Sequence, residues 1–370
     1  MLLSVIIVFH NMKREAPRTL FSLSSAYQNK VDLVDYEVIA IDCGLQPSLT
    51  EEQVKSFGQK FRLIRTSQTP SPAAAINEAA RKALGQYLTI CIDGARIWSP
   101  GIIAETCAAL AKSPDAVVAT SSFHLGHEIQ NISMSKGYNQ PTEDSMLENL
   151  GWETDGYKLF QVACPAGSSR NGWFLPLNES NCITLSRTLF KEIKGYDERF
   201  SSPGGGLVNI DFFARVCLLK NEIHILIGEG TFHQIHGGVS TNVPMELHPW
   251  KTFHQEYIKL VGKEYVAPKY RAVFQGVPNI ESGWMLQYSY DHITGILSTP
   301  TAESEKKHNE AYATISALTA ESEKQQQTID SLNRQSAEIR HQLYQMVNSK
   351  SWRLTHPLRV IFALIQKNSV

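Results

Sequence analysis

Short apolar, β-prone runs alternate with helical patterns through the first hundred residues. No other feature restricts the possible folds of this chain as much. Residues 4–9, 36–41, 61–65 and 87–92 read as strands, and 17–27, 50–57 and 72–84 read as helices. Thr50 is placed to cap the second helix, with acidic Glu51 and Glu52 in its first turn. Pro72 opens the third, whose Ala75, Ile76, Ala79, Ala83 and Leu84 share one face. This alternation predicts an α/β fold with a mostly parallel, doubly wound central sheet. Asp42 and Asp93 fall just past strand ends, so they should converge on one edge of that sheet. Open α/β sheets bind ligands at that edge.

Residues 115–120 read as a fifth strand. After it, 121–177 loses periodicity and becomes rich in Gly, Asn, Ser and aromatic residues, which reads as a functional loop region or an insertion. A strand at 181–185 and a helix at 187–193 follow. Gly204, Gly205 and Gly206 then form a pliable loop, where backbone can approach a ligand closely. The next helix carries Asn209, Asp211 and Arg215. A strand at 223–227 leads into GEGTFHQIHGG, which holds His233 and His236. Two histidines three apart admit several roles: both metal ligands, one ligand plus a phosphate or sugar contact, structural polar groups, or general acid/base.

The chain of 370 residues is 42% hydrophobic and 19% charged, enough for a substantial core. Its net charge of −1 gives no reason to expect a nucleic-acid partner. The six cysteines are scattered without zinc-like or Cys-x-x-Cys spacing, which reads as buried free thiols in a reducing compartment. MLLSVIIVF lacks a basic leader and is followed at once by His10, Asn11 and Lys13, so it reads as a first buried strand. A cytoplasmic location is expected. Residues 265–301 read as an irregular linker. In 302–348, apolar positions such as Ile315, Leu318, Ile329, Leu332 and Ile339 fit a heptad seam, predicting a coiled-coil helix and a homo-oligomer, or else a long solvated helix. The tail, 349–370, is basic and amphipathic, suited to an anionic membrane surface or to packing as a C-terminal helix.

The ordered segments SVIIVFHN, YEVIAIDCG, SPAAAINEAARKALGQYLTICIDGA and ESNCITLSRTLFKEIKGYDERF resemble family-two glycosyltransferases of the GT-A fold, over 1–264. SWRLTHPLR, after the heptads, is similar to the tail of bacterial enzymes that build O-antigen and capsular polysaccharide. The resemblance implies a nucleotide-diphosphate sugar as donor. Phe9, Asn11 and Asp42 would hold its base and ribose, Asn77 would belong to the same donor site, and Asp93 would bind ribose and a divalent metal, Mn²⁺ or Mg²⁺. His233, then His236, would complete metal or phosphate binding. The helix after the glycines would supply the acceptor-side catalytic group.

This sequence departs from the family in two places. Ala95 and Arg96 stand where the family's Asp-x-Asp(-Asp) would place carboxylates. Either Asp93 and His233 hold the metal between them, or Arg96 neutralises the diphosphate. Aligned on Arg215, the usual Glu-Asp pair falls on Val208 and Asn209, which leaves Asp211 as the next acid. The same pattern resembles retaining polypeptide GalNAc-transferases, so the stereochemical course stays open. Asp211 with Asn209 is the expected catalytic pair. The implied activity is hexosyl transfer to a glycan or lipid-linked glycan in surface polysaccharide synthesis, at the inner face of the membrane. The alternative is a non-catalytic scaffold that binds a nucleotide sugar or glycan and oligomerises through its coiled coil. A sugar-nucleotide pyrophosphorylase is disfavoured, because no Gly-rich, Lys/Arg-bearing loop follows the first strand.

Overall fold

The computed structural model describes residues 2–44, 48–66, 71–295, 331–332, 334–342 and 345. The chain divides into two units, Met1–Leu297 and Ser298–Val370.

The first unit begins with the expected alternation: β1 (Leu3–Phe9), α1 (Glu15–Ser22), β2 (Tyr36–Asp42), α2 (Glu51–Ser56), β3 (Phe61–Arg65), α3 (Ala73–Lys82) and β4 (Tyr87–Cys91). Thr50 caps α2 in a reciprocal capping box with Gln53. A short β5 (Arg96–Trp98), α4 (Ile102–Lys112) and β6 (Val118–Leu125) come next. Then follow α5 (Gln130–Ser133), α6 (Gln140–Leu150), β7 (Ala163–Pro165), β8 (Cys182–Ser186), α7 (Arg187–Glu192), α8 (Val208–Leu219) and β9 (Glu222–His233). The unit closes with α9 (Trp250–Val261), β10 (Arg271–Gln275) and α10 (Trp284–Thr294).

The main sheet runs β10-β9-β6-β8-β4-β1-β2-β3, and β8 alone along this path is antiparallel to its neighbours. β1 shows why the sheet is covered on both sides. Ile6 and Val8 join one core with α3 and α8, through residues such as Ile76, Ala79, Phe212 and Val216. Val5, Ile7 and Phe9 join the other core with α1, α2 and α4, through Leu20, Val54 and Leu110. Alternate side chains point to opposite faces, and helices on both faces bury them all. The architecture is the mostly parallel α/β sheet expected for GT-A.

Three stretches differ from the sequence expectation. β6 and β9 run on past 120 and 227, and they pair along most of their length across an irregularity between Thr120 and Ser121 of β6. Gly228 in the offset of β9 has φ +81, a backbone that glycine adopts freely. The region 121–177 is no open loop. It folds into α5, α6 and β7 over a third cluster that includes Phe123, Trp152, Phe160, Trp173 and Phe232. Finally, 265–301 is not an irregular linker where it is described. β10 adds to the sheet edge beside β9, and α10 buries Met285 in the third cluster.

All six cysteines are free thiols. No helix among the described residues is long and apolar enough to cross a membrane. In the second unit the described residues 331–332, 334–342 and 345 are helical, and Leu332 and Ile339, two expected seam positions, are exposed. The rest of the expected coiled coil and the whole basic tail lie outside the described residues.

The offset in β9 also aims Glu229 beneath the start of α4. Its carboxyl accepts from Ser99 Oγ, from the Gly101 backbone N at 3.1 Å and from the Tyr157 hydroxyl at 2.8 Å. Burial pushes this carboxyl from 4.5 up to about 7, and its three hydrogen bonds only partly oppose that. Between those two values the folded chain keeps a proton that the unfolded chain has lost. Stability from this group is therefore complete below about pH 4.5 and declines as pH rises toward 7, by at most about 1.4 kcal/mol per pH unit. Replacing Glu229 with Gln should flatten that part of the profile, as judged by urea unfolding at about pH 5 and about pH 7.5. An unchanged difference between the two pH values would show that Glu229 does not titrate on folding.

Candidate functional site

The parallel strands β1, β2 and β4 end on one edge, where Phe9 pairs with Asp42 and Asp93 follows β4 by two residues. Beside them, three strands set chemistry-bearing side chains on one rung. Arg96 of β5 is opposite His233 of β9, and His233 is opposite His124 of β6. A cleft of about 1450 Å³ opens over this edge. Asn11, Asp93, Arg96 and His124 contribute to its lining, as do the glycine loop before α8 and the 236–241 loop after β9.

Asp93 is the centre of the polar cluster. Its Oδ1 accepts from the Ala95 backbone N at 3.0 Å, which fixes the turn leaving β4. Oδ2 lies 2.9 Å from His233 Nε2 and 3.6 Å from Arg96 Nε, and Oδ1 lies 3.8 Å from His236 Nε2. Burial alone would raise the Asp93 carboxyl, but His233 first, then His236 and Arg96, hold it well below the usual range. Burial pushes the His233 ring the other way, down to about 4, against the opposing pull of Asp93.

The tautomer of His233 follows from Gln130. The Gln130 amide nitrogen donates to the His233 carbonyl at 2.8 Å, so its Oε1 is the atom facing His233 Nδ1 at 2.7 Å. Asn242 Nδ2 donates to the same Oε1 at 2.8 Å. Nδ1 must therefore carry a proton, and in the neutral ring Nε2 presents a lone pair toward the carboxylate. The Thr241 hydroxyl, 3.3 Å from Nε2, can partly satisfy that lone pair. Two acceptors 2.9 Å apart still call for a cation between them. The ligand atoms of Asp93, His233 and His236 all lie within 4.8 Å of one another, so these residues fit a divalent metal.

Arg96 is 3% exposed, donates to Ser122 Oγ at 2.5 Å, and has no hydrogen-bond partner at Nε among the described residues. It is a fixed positive charge on the cleft floor, suited to an anion. His124 Nδ1 accepts from the Gln130 backbone N at 2.9 Å, and burial holds that ring neutral. The Nε2 of His124 then carries the ring proton and can serve as a donor.

The loop holding His236 is braced from two sides. Asn242 Oδ1 accepts from the backbone N of His236, Gly237 and Gly238 at 2.9, 3.1 and 3.1 Å. Glu143 of α6 accepts from Ile235 N, at 3.0 Å for its closer oxygen, and pairs with Arg14, the residue before α1, at 3.0 Å. Arg14 in turn donates to the Ile235 carbonyl at 3.0 Å.

Among the other expected site residues, Asn11, whose φ is 55, and Asn209 both line the cleft. Phe9 is fully buried, and its ring would collide with a Cβ on Gly94. Asp42 stands at the right edge but does not line the cleft. Its oxygens accept from the backbone N of Gly44, Ser48 and Leu49. Asn77 bonds Tyr196 through both ends of its amide and also reaches Glu198, so it holds the turn after α7.

Asp211, expected as base, also lies outside the cleft lining. It is 5% exposed and bonds Arg215 at 2.7 Å, while Arg215 donates to the carbonyls of Ile193 and Gly195. Two residues along a helix turn a side chain by about 200°, so Asp211 faces away from the side that Asn209 presents.

Sequence reasoning passed over Glu179, which lines the cleft and accepts from Asn209 Nδ2 at 2.7 Å. Burial raises its carboxyl, against the opposing Asn209 bond and the Arg96 charge. The available signal was its place just ahead of β8. Because β8 is antiparallel, its beginning arrives at the edge where the parallel strands end.

Residues 4–170 match the family model described as Glycosyl transferase family 2. No curated protein matches the chain at a significant level. Among solved structures, the crystal structure of S. aureus TarS is similar at 16% identity and a TM-score of 0.44, over 64% of this chain and 37% of that one. This chain thus spans little more than a third of that protein. TarS 1–349 in complex with UDP aligns at 14% identity and TM-score 0.40, over 81% of this chain and 73% of that one. The UDP-GlcNAc complex aligns at 13% and 0.41, over 82% and 78%. The segment that supplies Asn11, Asp93, Arg96, His124 and Gln130 to the site thus lies within the part of the chain that matches the glycosyl transferase family 2 model.

Proposed function

We propose that the protein transfers a hexosyl group from a nucleotide-diphosphate sugar to an acceptor hydroxyl, with the diphosphate seated against Arg96 and the Asp93–His233–His236 cluster. The observation that carries this reading is the Asp93–His233 pair facing lone pair to lone pair beside a buried arginine, on a segment matching glycosyl transferase family 2. Asp93, His233 and His236 would hold a divalent metal, which supplies positive charge where the leaving diphosphate gathers negative charge. Arg96 contributes a permanent charge of the same sign, in the place where the family resemblance leads one to expect a further carboxylate. His124 can donate a hydrogen bond into the cleft. Asn11 stands at the end of β1, suited to the nucleoside end of the donor. The resemblance of SWRLTHPLR supports a surface-polysaccharide acceptor.

The competing reading, a nucleotide-sugar-binding scaffold, is favoured by Ala95 and Arg96 standing where carboxylates are expected. Calorimetry and nucleoside-diphosphate release with UDP-, GDP- and dTDP-sugars, UDP-GlcNAc included, with Mn²⁺ and with EDTA, separate the two. Turnover of one donor, faster with Mn²⁺, is expected. Binding without turnover would establish the scaffold, and binding of none would defeat both readings. Asp93→Asn should lower turnover roughly 10²–10³-fold, the scale of losing one main electrostatic group.

The same cluster gives a prediction independent of activity. Gln130→Leu leaves His233 free to take the other tautomer, and Mn²⁺ affinity should fall roughly 10–100-fold. Titration calorimetry reads this directly, with near-UV circular dichroism confirming the fold. Equal Mn²⁺ affinity in the two proteins would remove the tautomer argument.

A further inference from the structure

Among the described residues, the cleft is lined by two carboxylates only, Asp93 and Glu179. Asp93 is committed to His233, Arg96 and its own turn. Glu179 is held differently. The segment from Asn178 to Asn181 brings it over the cleft on its way into the antiparallel β8. There it meets Asn209 at the start of α8, whose amide is fully engaged. Asn209 Oδ1 accepts from the Tyr196 hydroxyl at 3.3 Å, and Nδ2 donates to Glu179 Oε2 at 2.7 Å and to the Ser180 carbonyl at 3.2 Å. One oxygen of Glu179 is therefore fixed in direction, while Oε1 accepts no hydrogen bond from the described residues. Asp211, the other acid within reach in sequence, is tied to Arg215.

We propose that Glu179 is the general base on the acceptor side of the cleft, and that Asn209 aims it. This rests on the reading of the cleft as a glycosyltransferase site. In the step, an oxygen lone pair of the acceptor hydroxyl forms the new bond to the anomeric carbon. The hydroxyl proton passes to Glu179 Oε1. The bond from the anomeric carbon to the diphosphate oxygen breaks, and its electron pair leaves with the nucleoside diphosphate. Water can replace the acceptor, which gives slow donor hydrolysis by the same transfer. The carboxylate thus comes from the loop ahead of β8, where the family resemblance pointed to α8. The Asn209–Glu179 hydrogen bond joins the two positions.

The test uses the full chain, the panel of UDP-, GDP- and dTDP-sugars with Mn²⁺, and water as acceptor. Glu179→Gln keeps the size of the side chain and can still accept from Asn209. Its kcat for nucleoside-diphosphate release should fall roughly 10²–10⁴-fold, the usual range for a general base, with donor affinity by calorimetry within about two-fold of wild type. In Glu179→Gln/Asn209→Asp the hydrogen bond reverses direction and a carboxylate returns one contact away. That variant should regain at least about ten-fold in kcat over the single variant. A Glu179→Gln enzyme with wild-type kcat overturns the assignment and leaves the proposed function standing. Loss of donor affinity together with kcat, with no gain in the double variant, also overturns it, by making Glu179 a donor-binding group. A wild-type protein that binds none of the panel overturns the assignment and the proposed function together.

Discussion

The register that sets Arg96 against His233 and His233 against His124 is the constraint on which the site depends. Each strand alternates its side chains between two faces, so a slip of one residue in β5 or β9 would turn Arg96 away from the cleft or His233 away from Asp93. The irregularity in the β6–β9 pairing does part of this work. Thr120 pairs with Leu226 and Ser121 with Gly230, so the offset at 227–229 brings His233 level with His124. The residues within the offset have their own places. Ile227 joins the third hydrophobic cluster, and Glu229 turns inward to the start of α4. Site geometry and the anchoring of the turn before α4 thus come from one local departure from regular pairing.

Around that rung, amides convert position into chemical state. Gln130 contributes both ends of its side chain and its backbone N, so one residue sets the proton positions on two histidines. Asn242 fixes the loop of His236 and also completes Gln130. None of these groups is charged, which suits a site whose purpose is to meet an anionic leaving group. A further buried charge would need its own partner, whereas an amide can fix a ring without adding to the field.

Much of the fold could be read from the sequence, because β1 to β4 are short apolar runs separated by helices with clear faces and caps. The edge position of Asp42 and Asp93 followed from that pattern alone. The pattern could not show where each side chain points. Asp211 and Asn209 are two residues apart in sequence, yet they serve opposite sides of α8. Asp42 lies at the right edge, but its oxygens meet the backbone of the next loop. Glu179 escaped notice because a rule about strand ends looks past the start of a strand, and only the antiparallel course of β8 makes that start relevant. The region 121–177 gave no periodic signal because α5 and β7 are short and α6 buries only Glu143 and Leu147. Aromatic packing around Phe123 and Trp152 holds the region, which leaves no stripe in the sequence.

The bond from Glu143 of α6 to the backbone of Ile235 has a consequence for which parts of the domain can be removed. α6 lies outside the sheet, in the stretch between β6 and β8. It carries the group that seats the chain next to His236, with Arg14 at the N-cap of α1 closing the bracket. Cutting the domain back to its bare sheet would leave the histidine present in sequence but unseated in space.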